Sequence, residues 1–178
     1  MRLSVISTIL TLALSAKVAA LNKRDPSTST QLCISDLTST TVQLTTVTNS
    51  VNAYTSSSGY AGGLAIQNQE QTLESRITTA GTDCCSITTI SNDDIDAILS
   101  ETDSLTPQFI AALDSIVDKK PVFDSVPIIA GLIKNDINVL HTKTGVLIDC
   151  LVDITQSMLP DFATEIEAAF QRAMDAYA

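Results

Sequence analysis

The stretch DFATEIEAAFQRAMDAY, residues 161–177, brings Phe162, Ile166, Ala169, Phe170, Ala173 and Tyr177 onto one side of a helix. Apolar residues at steps of three and four form a stripe that a helix must bury against a neighbour. No other part of the chain shows this pattern as cleanly, and it sets the reading of the rest. Upstream, Leu159-Pro160-Asp161 breaks a longer helical run from Ile128 to about Met158. That run carries Ile129, Leu132, Ile133, Ile137, Leu140, Thr144, Leu147, Leu151, Ile154 and Met158, with Gly145 softening its middle.

Further upstream, Ser91-Asn92-Asp93-Asp94 has the spacing of a capping box, Asp standing in for Glu. Ile95, Ile98, Leu99, Thr102 and Leu105 then recur helically, and Thr106-Pro107 is expected to restart the helix as cap and first position. Phe109, Ile110, Leu113, Ile116 and Val117 carry it to Lys119-Lys120, and Pro121 and Pro127 mark the turn. A second helix is expected from about Leu64 to Thr79, with Ile66, Glu70, Leu73 and Ile77 on one side and Ala80-Gly81-Thr82 ending it. Thr55 to Gly63, rich in Ser and Gly, reads as a flexible loop. The first helix starts at Leu32, with Ile34, Leu37, Thr41, Leu44, Thr48 and Val51 as its stripe. No hairpin dipeptide and no sustained alternation occurs. The fold class is all-α, a bundle of about five amphipathic helices with short loops.

The chain has 178 residues, 44% hydrophobic and 17% charged, with no tryptophan. Its apolar content is therefore aliphatic, and its length suits one domain with its own core. Twenty acidic residues face ten basic ones. Four of the positives (Arg2, Lys17, Lys23, Arg24) lie in the first 24 residues. Such an acidic chain is a poor partner for phosphate backbones, so nucleic acid is excluded, and anionic lipid surfaces are disfavoured.

Residues 1–20 read as a secretory signal peptide: Arg2, the apolar run Val5–Leu14, then Val18-Ala19-Ala20. Residues 21–24 form a dibasic processing segment ending in Lys23-Arg24, residues 25–31 a polar leader, and residues 32–178 the helical domain. No later segment is long and apolar enough for a transmembrane helix. The four cysteines, Cys33, Cys84, Cys85 and Cys150, favour two disulfides in a secreted chain. Cys33 and Cys150 are expected to pair separately with the two neighbours, because a vicinal bond is strained. No Asn-x-Ser/Thr sequon occurs, so any sugar is O-linked, with Ser27–Thr30 and Thr55–Ser58 as the clusters for it.

Catalytic and cofactor patterns are absent. There is no Gly-x-Ser-x-Gly elbow, phosphate loop, dinucleotide fingerprint or His-Glu-x-x-His. His141 is the one histidine and reads as a solvated helix residue. Asp93, Asp94 and Asp96 sit at a helix start, where the dipole accounts for them without calcium. The cysteines lack metal spacing. No residue is assigned as catalytic, and no cofactor or metal is expected. The aliphatic load remains: a bundle can bury it as closed core, or line a gap for an acyl chain, or turn it outward onto a hydrophobic surface.

Several stretches together resemble the fungal hydrophobic surface binding protein A family, also called cell wall galactomannoproteins. They are Tyr54 with Gly59-Tyr60-Ala61-Gly62-Gly63-Leu64, Leu105-Thr106-Pro107-Gln108-Phe109 with Leu113, and Lys119-Lys120-Pro121-Val122-Phe123. The run Leu132–Leu151 and the ending Phe162, Ile166, Phe170, Tyr177 also fit. The resemblance implies a helical, non-enzymatic protein, secreted or held in the cell wall. It implies adsorption to hydrophobic surfaces in aid of a secreted polyester-degrading, cutinase-like esterase, or binding of fatty acids between helices. The four cysteines depart from the family's pattern, and a bridge from Cys150 to Cys84–Cys85 limits helix opening, which favours an internal lipid site. The expected ligand-lining residues are Phe109, Leu113, Leu140, Leu147, Ile166 and Phe170. The alternative reading is a structural, antigenic, O-mannosylated wall protein with a dry core and no ligand.

Overall fold

The computed structural model describes residues 27–178. The expected signal peptide, dibasic segment and first two leader residues lie outside the described residues. Five α-helices follow in order: α1 Thr28–Ala53, α2 Gly59–Cys85, α3 Asn92–Phe123, α4 Pro127–Ile154 and α5 Pro160–Ala176. A short 3-10 turn, Ser56–Ser58, precedes α2, and no strand occurs among the described residues.

Helix α1 begins inside the stretch read as leader. Ser27 caps it, its Oγ accepting from the Thr30 amide at 3.2 Å. Thr30, within one of the clusters expected to carry O-linked sugar, is fully buried. The threonines that lower helix propensity satisfy themselves within the helix. Thr40, Thr41, Thr45 and Thr48 each donate to the carbonyl four residues back, at 2.8–3.1 Å. A back-bonded threonine can be buried, and Thr40 is. The inner face is accordingly rotated from the expected stripe, centred on Cys33, Leu37, Thr40, Leu44, Val47 and Val51.

The glycine-rich segment is the first turn of α2 rather than a loop. Its glycines permit close approach. A Cβ at Gly63 would overlap the Ile129 side chain, and one at Gly62 would stand 2.5 Å from Ser58 Cβ and 3.2 Å from the Tyr54 ring. Gly81 does not end α2 either; it lies buried where the Leu147 backbone passes, 4.0 Å from a Cβ built there.

Helix α3 runs unbroken through Pro107, where a restart was expected. Pro107 leaves the Asp103 carbonyl without its helical donor, but both residues are exposed, where solvent can take the donor's place. The capping box is present: Ser91 Oγ accepts from the Asp94 amide at 3.2 Å and Asp94 Oδ2 from the Ser91 amide at 3.3 Å. Helix α4 stops at Ile154, before Met158. Gln156 and Ser157 turn to positive φ (55° and 65°), and the Ser157 amide returns to the Val152 carbonyl at 2.8 Å.

The helices close a ring in the order α1, α2, α4, α5, α3. Packing is extensive at every seam except α4–α5, where contact is sparse. Both ends of the ring are tied. At one, Cys33 pairs with Cys84 and Cys85 with Cys150, linking α1 to α2 and α2 to α4. At the other, Tyr54 stacks on Phe123 at 4.7 Å, donates from its hydroxyl to the Gly59 carbonyl at 3.1 Å, and its own carbonyl accepts from Lys119 at 3.0 Å.

Candidate functional site

A cavity of about 30 Å³ lies inside the ring, nearer the Tyr54 end than the disulfides, and all five helices line it. Leu44, Val47 and Val51 come from α1, Ile66, Glu70 and Leu73 from α2. Phe109, Ala112, Leu113 and Ile116 come from α3, Ile133, Asp136, Ile137 and Leu140 from α4, and Phe170 from α5. The i, i+3, i+4 and i+7 spacing within each helix turns these side chains to one axis. The space suits about one water molecule. An aliphatic chain enters only if helices part.

The sparsest seam is where parting would begin. Across it, His141 Nε2 meets Glu167 Oε2 at 2.8 Å, and the imidazole lies 5.1 Å from the Phe170 ring. The histidine read as solvated is thus half-buried and holds α4 to α5. Phe170 stands between it and the cavity.

Two carboxyl groups interrupt the apolar lining. Glu70 is 4% exposed and Asp136 8%. Neither Glu70 oxygen is hydrogen-bonded outside the acidic cluster. Glu74, one turn along α2, accepts from Lys143 of α4 at 2.8 Å. Burial first, then a hydrogen bond shared with the Glu74 carboxyl and the charges of Asp136 and Glu74, pushes the Glu70 carboxyl up to about 9, with Lys143 opposing. Burial, reinforced by Glu74 and opposed by a hydrogen bond from Asn135, pushes Asp136 up to about 6. One oxygen from each of Glu70, Glu74 and Asp136 falls within 4.8 Å of the others, the one such trio among the described residues that could hold a cation.

Of the residues expected to line a ligand site, Phe109, Leu113, Leu140 and Phe170 surround the cavity. Leu147 and Ile166 are fully buried but do not line it; Leu147 packs beside Gly81. The contributions of α1 and α2 were not anticipated, nor were the two carboxyls. A signal for Glu70 was present: an acidic residue inside the stripe Ile66, Leu73, Ile77. Large exposed apolar side chains are distributed over Leu32 and Val42 of α1, Tyr60 of α2, Ile128 and Val146 of α4, and Met158 beyond it. No single helix presents them as one face.

Residues 30–153 match the family of hydrophobic surface binding protein A. Among solved structures, AfMP4p in complex with palmitic acid is similar, with a TM-score of 0.79 and 30% identity over 84% of this chain and 99% of that one. Ligand binding domain 2 of the Penicillium marneffei MP1 protein, complexed with multiple arachidonic acids, shares the fold at a TM-score of 0.72 and 16% identity. That similarity covers 84% of this chain and 94% of the domain. No curated protein matches the chain.

Proposed function

The chain belongs to the hydrophobic surface binding protein A family, and from that premise we propose that it is a secreted, non-enzymatic protein that takes the aliphatic chain of a lipid into its ring of helices. The observation that carries this reading is the interior cavity, where five apolar stripes converge beside the one weakly packed seam. The palmitic acid bound by AfMP4p supports a fatty acyl ligand. Two disulfides, and the absence among the described residues of a helix long and apolar enough to cross a membrane, support an extracellular or wall location.

Each methylene moved from water into the ring contributes about 0.8 kcal/mol, so a long chain can offset the cost of separating α5 from α4. Binding between helices also fits the disulfides better than spreading on a solid, because α1, α2 and α4 stay tied at one end. Organic extraction of the protein purified from its native secretion, followed by mass spectrometry, tests the reading. A stoichiometric aliphatic lipid is expected; lipid-free protein that also fails to take up added palmitic acid refutes it.

The small volume of the cavity favours a second reading, a wall mannoprotein with a dry core. O-linked sugar and wall retention without lipid uptake would establish it. Recruitment of a cutinase-like esterase is the most distant part of the proposal. Co-sedimentation of enzyme and protein on polyester particles tests it, and equal enzyme sedimentation with and without the protein would remove it.

A further inference from the structure

Outside the ring, α2 and α4 leave a groove between them of about 360 Å³, far roomier than the interior cavity. The two helices run parallel: Glu74 meets Lys143, and two turns on Gly81 faces the Leu147 backbone. Ile77, Gly81 and Cys85 follow at steps of four along α2 and line the groove, with Thr78 and Thr82 beside them. Gly81 has no side chain to fill that row, and the row opens into a trough there. Ile77, fully buried, is its floor. The two threonine hydroxyls are spent on their own helix, donating to the Glu74 carbonyl at 2.8 Å and the Thr78 carbonyl at 3.0 Å. Val146 of α4 forms the opposite wall and stays 56% exposed. From Ile77 to Cys85 the trough extends about 12 Å along α2.

Lys143, one turn before Val146, is the charged member of this lining, and among the described residues no carboxylate lines the groove with it. Two other surface recesses do carry carboxylates: Asp103, Asp161 and Glu165 line one between α3 and α5, and Asp36 lines another with Arg76 between α1 and α2. The Lys143 ammonium has three donors and gives one to Glu74 at 2.8 Å. Glu74 also shares a hydrogen bond with the Glu70 carboxyl, so it does not depend on Lys143 alone. Two donors of a cation thus stand at the head of an apolar trough, in a chain of net charge -10.

We propose that this groove is a second lipid site, separate from the interior cavity, that holds one fatty-acid carboxylate with its head group on Lys143 and its chain along Ile77, Gly81 and Val146. The carboxylate accepts from the donors that Glu74 leaves, in a charge-assisted bond. The chain covers Val146 and the trough and removes their hydrocarbon from water. A cationic head group meets Lys143 with like charge and is rejected. The groove fills from solvent without any parting of helices, so the small interior volume does not limit it. The inference goes beyond the interior site and does not depend on it.

Methyl and amide nuclear magnetic resonance titrations of the purified protein test it, with dodecanoate and with dodecyltrimethylammonium, each below micelle formation, in moderate salt at about pH 7.5. Dodecanoate should shift Ile77, Thr82 and Val146, with an affinity at least about fivefold above that of the cation at the same signals. Val146→Glu, a change at an exposed position, should weaken the dodecanoate binding read at Thr82 by at least about tenfold. Leu113 and Ile137 report the interior and should keep in that variant the response they have in the unaltered protein. Lys143→Met should abolish the preference for dodecanoate; if that variant does not fold, Val146→Glu and the ligand pair decide. Shifts at the groove without shifts at Leu113 and Ile137 support the groove and count against the interior site. Shifts confined to Leu113 and Ile137 overturn the groove and leave the interior site standing. Equal affinity for the cation, or dodecanoate binding at Thr82 that Val146→Glu leaves unchanged, also overturns it. No response at any of these residues overturns the groove and the interior site together.

Discussion

At the scale of single residues, the glycines separate two roles. Gly63 lets α2 approach Ile129, whereas Gly145 has open space around a built Cβ. Gly63→Ala should destabilise by about 1–3 kcal/mol through overpacking, and Gly145→Ala should stabilise by up to about 1 kcal/mol through helix propensity. Urea unfolding of the two variants checks this, and equal effects would contradict it. Glu70 adds a pH dependence of defined sign. Its native value of about 9 lies above its ordinary value of 4.5, so the folded state holds the proton more tightly. Its contribution is complete below that ordinary value and is lost as pH rises toward the native one. Asp136, raised from 3.8 to about 6, acts in the same direction over a lower window. The melting temperature should fall as pH rises from about 4.5 to about 9. Glu70→Leu should flatten the fall and raise stability most at the alkaline end. A variant with the same pH profile as the unaltered protein would refute that account. The sequence showed an acid within an apolar stripe but not that α4 sets a second acid opposite it, because that pairing arises only when two helices pack.

At the scale of elements, periodicity was enough to identify the helices and too little to place their ends. Helix α4 ends where Gln156 and Ser157 adopt left-handed backbone, a conformation glycine ordinarily marks and these residues do not. Pro107 was read as a restart because proline opens helices more often than it interrupts them, and only exposure of Asp103 and Pro107 makes the lost hydrogen bond cheap. The Gly59–Gly63 segment looked flexible because composition does not reveal what packs against a glycine. The cysteines were more legible: antiparallel α1 and α2 bring Cys33 to the Cys84–Cys85 pair, and the structure joins Cys33 to Cys84 and Cys85 to Cys150. The second bridge closes a separation of 65 residues. Its removal in Cys85→Ser, Cys150→Ser should cost about 2–5 kcal/mol and free α4 from α2. Denaturant unfolding should show that loss, and stopped-flow lipid uptake should quicken as the ring loosens. Unchanged stability would mean that packing along the α2–α4 seam already fixes α4.

For the whole molecule, the five stripes exceed the needs of pairwise packing: they enclose an axis with a small gap, tied at both ends and thinly closed along α4–α5. The inward sides of α3, α4 and α5 were legible in large part, since Phe109, Leu113, Leu140 and Phe170 surround the gap. Leu147 and Ile166 share the same periodicity but lie away from the gap, because a stripe gives the angle around a helix and not the height along the bundle. The central claim is that a lipid chain enters this axis. Isotope-edited nuclear Overhauser spectra of the protein with carbon-13-labelled dodecanoic acid, at about pH 4 where its head group is largely neutral, test it most directly. The account predicts cross-peaks from the chain to Leu113, Ile137 and the Phe109 and Phe170 rings. Cross-peaks confined to exposed residues such as Val42, Ile128 or Met158, or none at all, would contradict it.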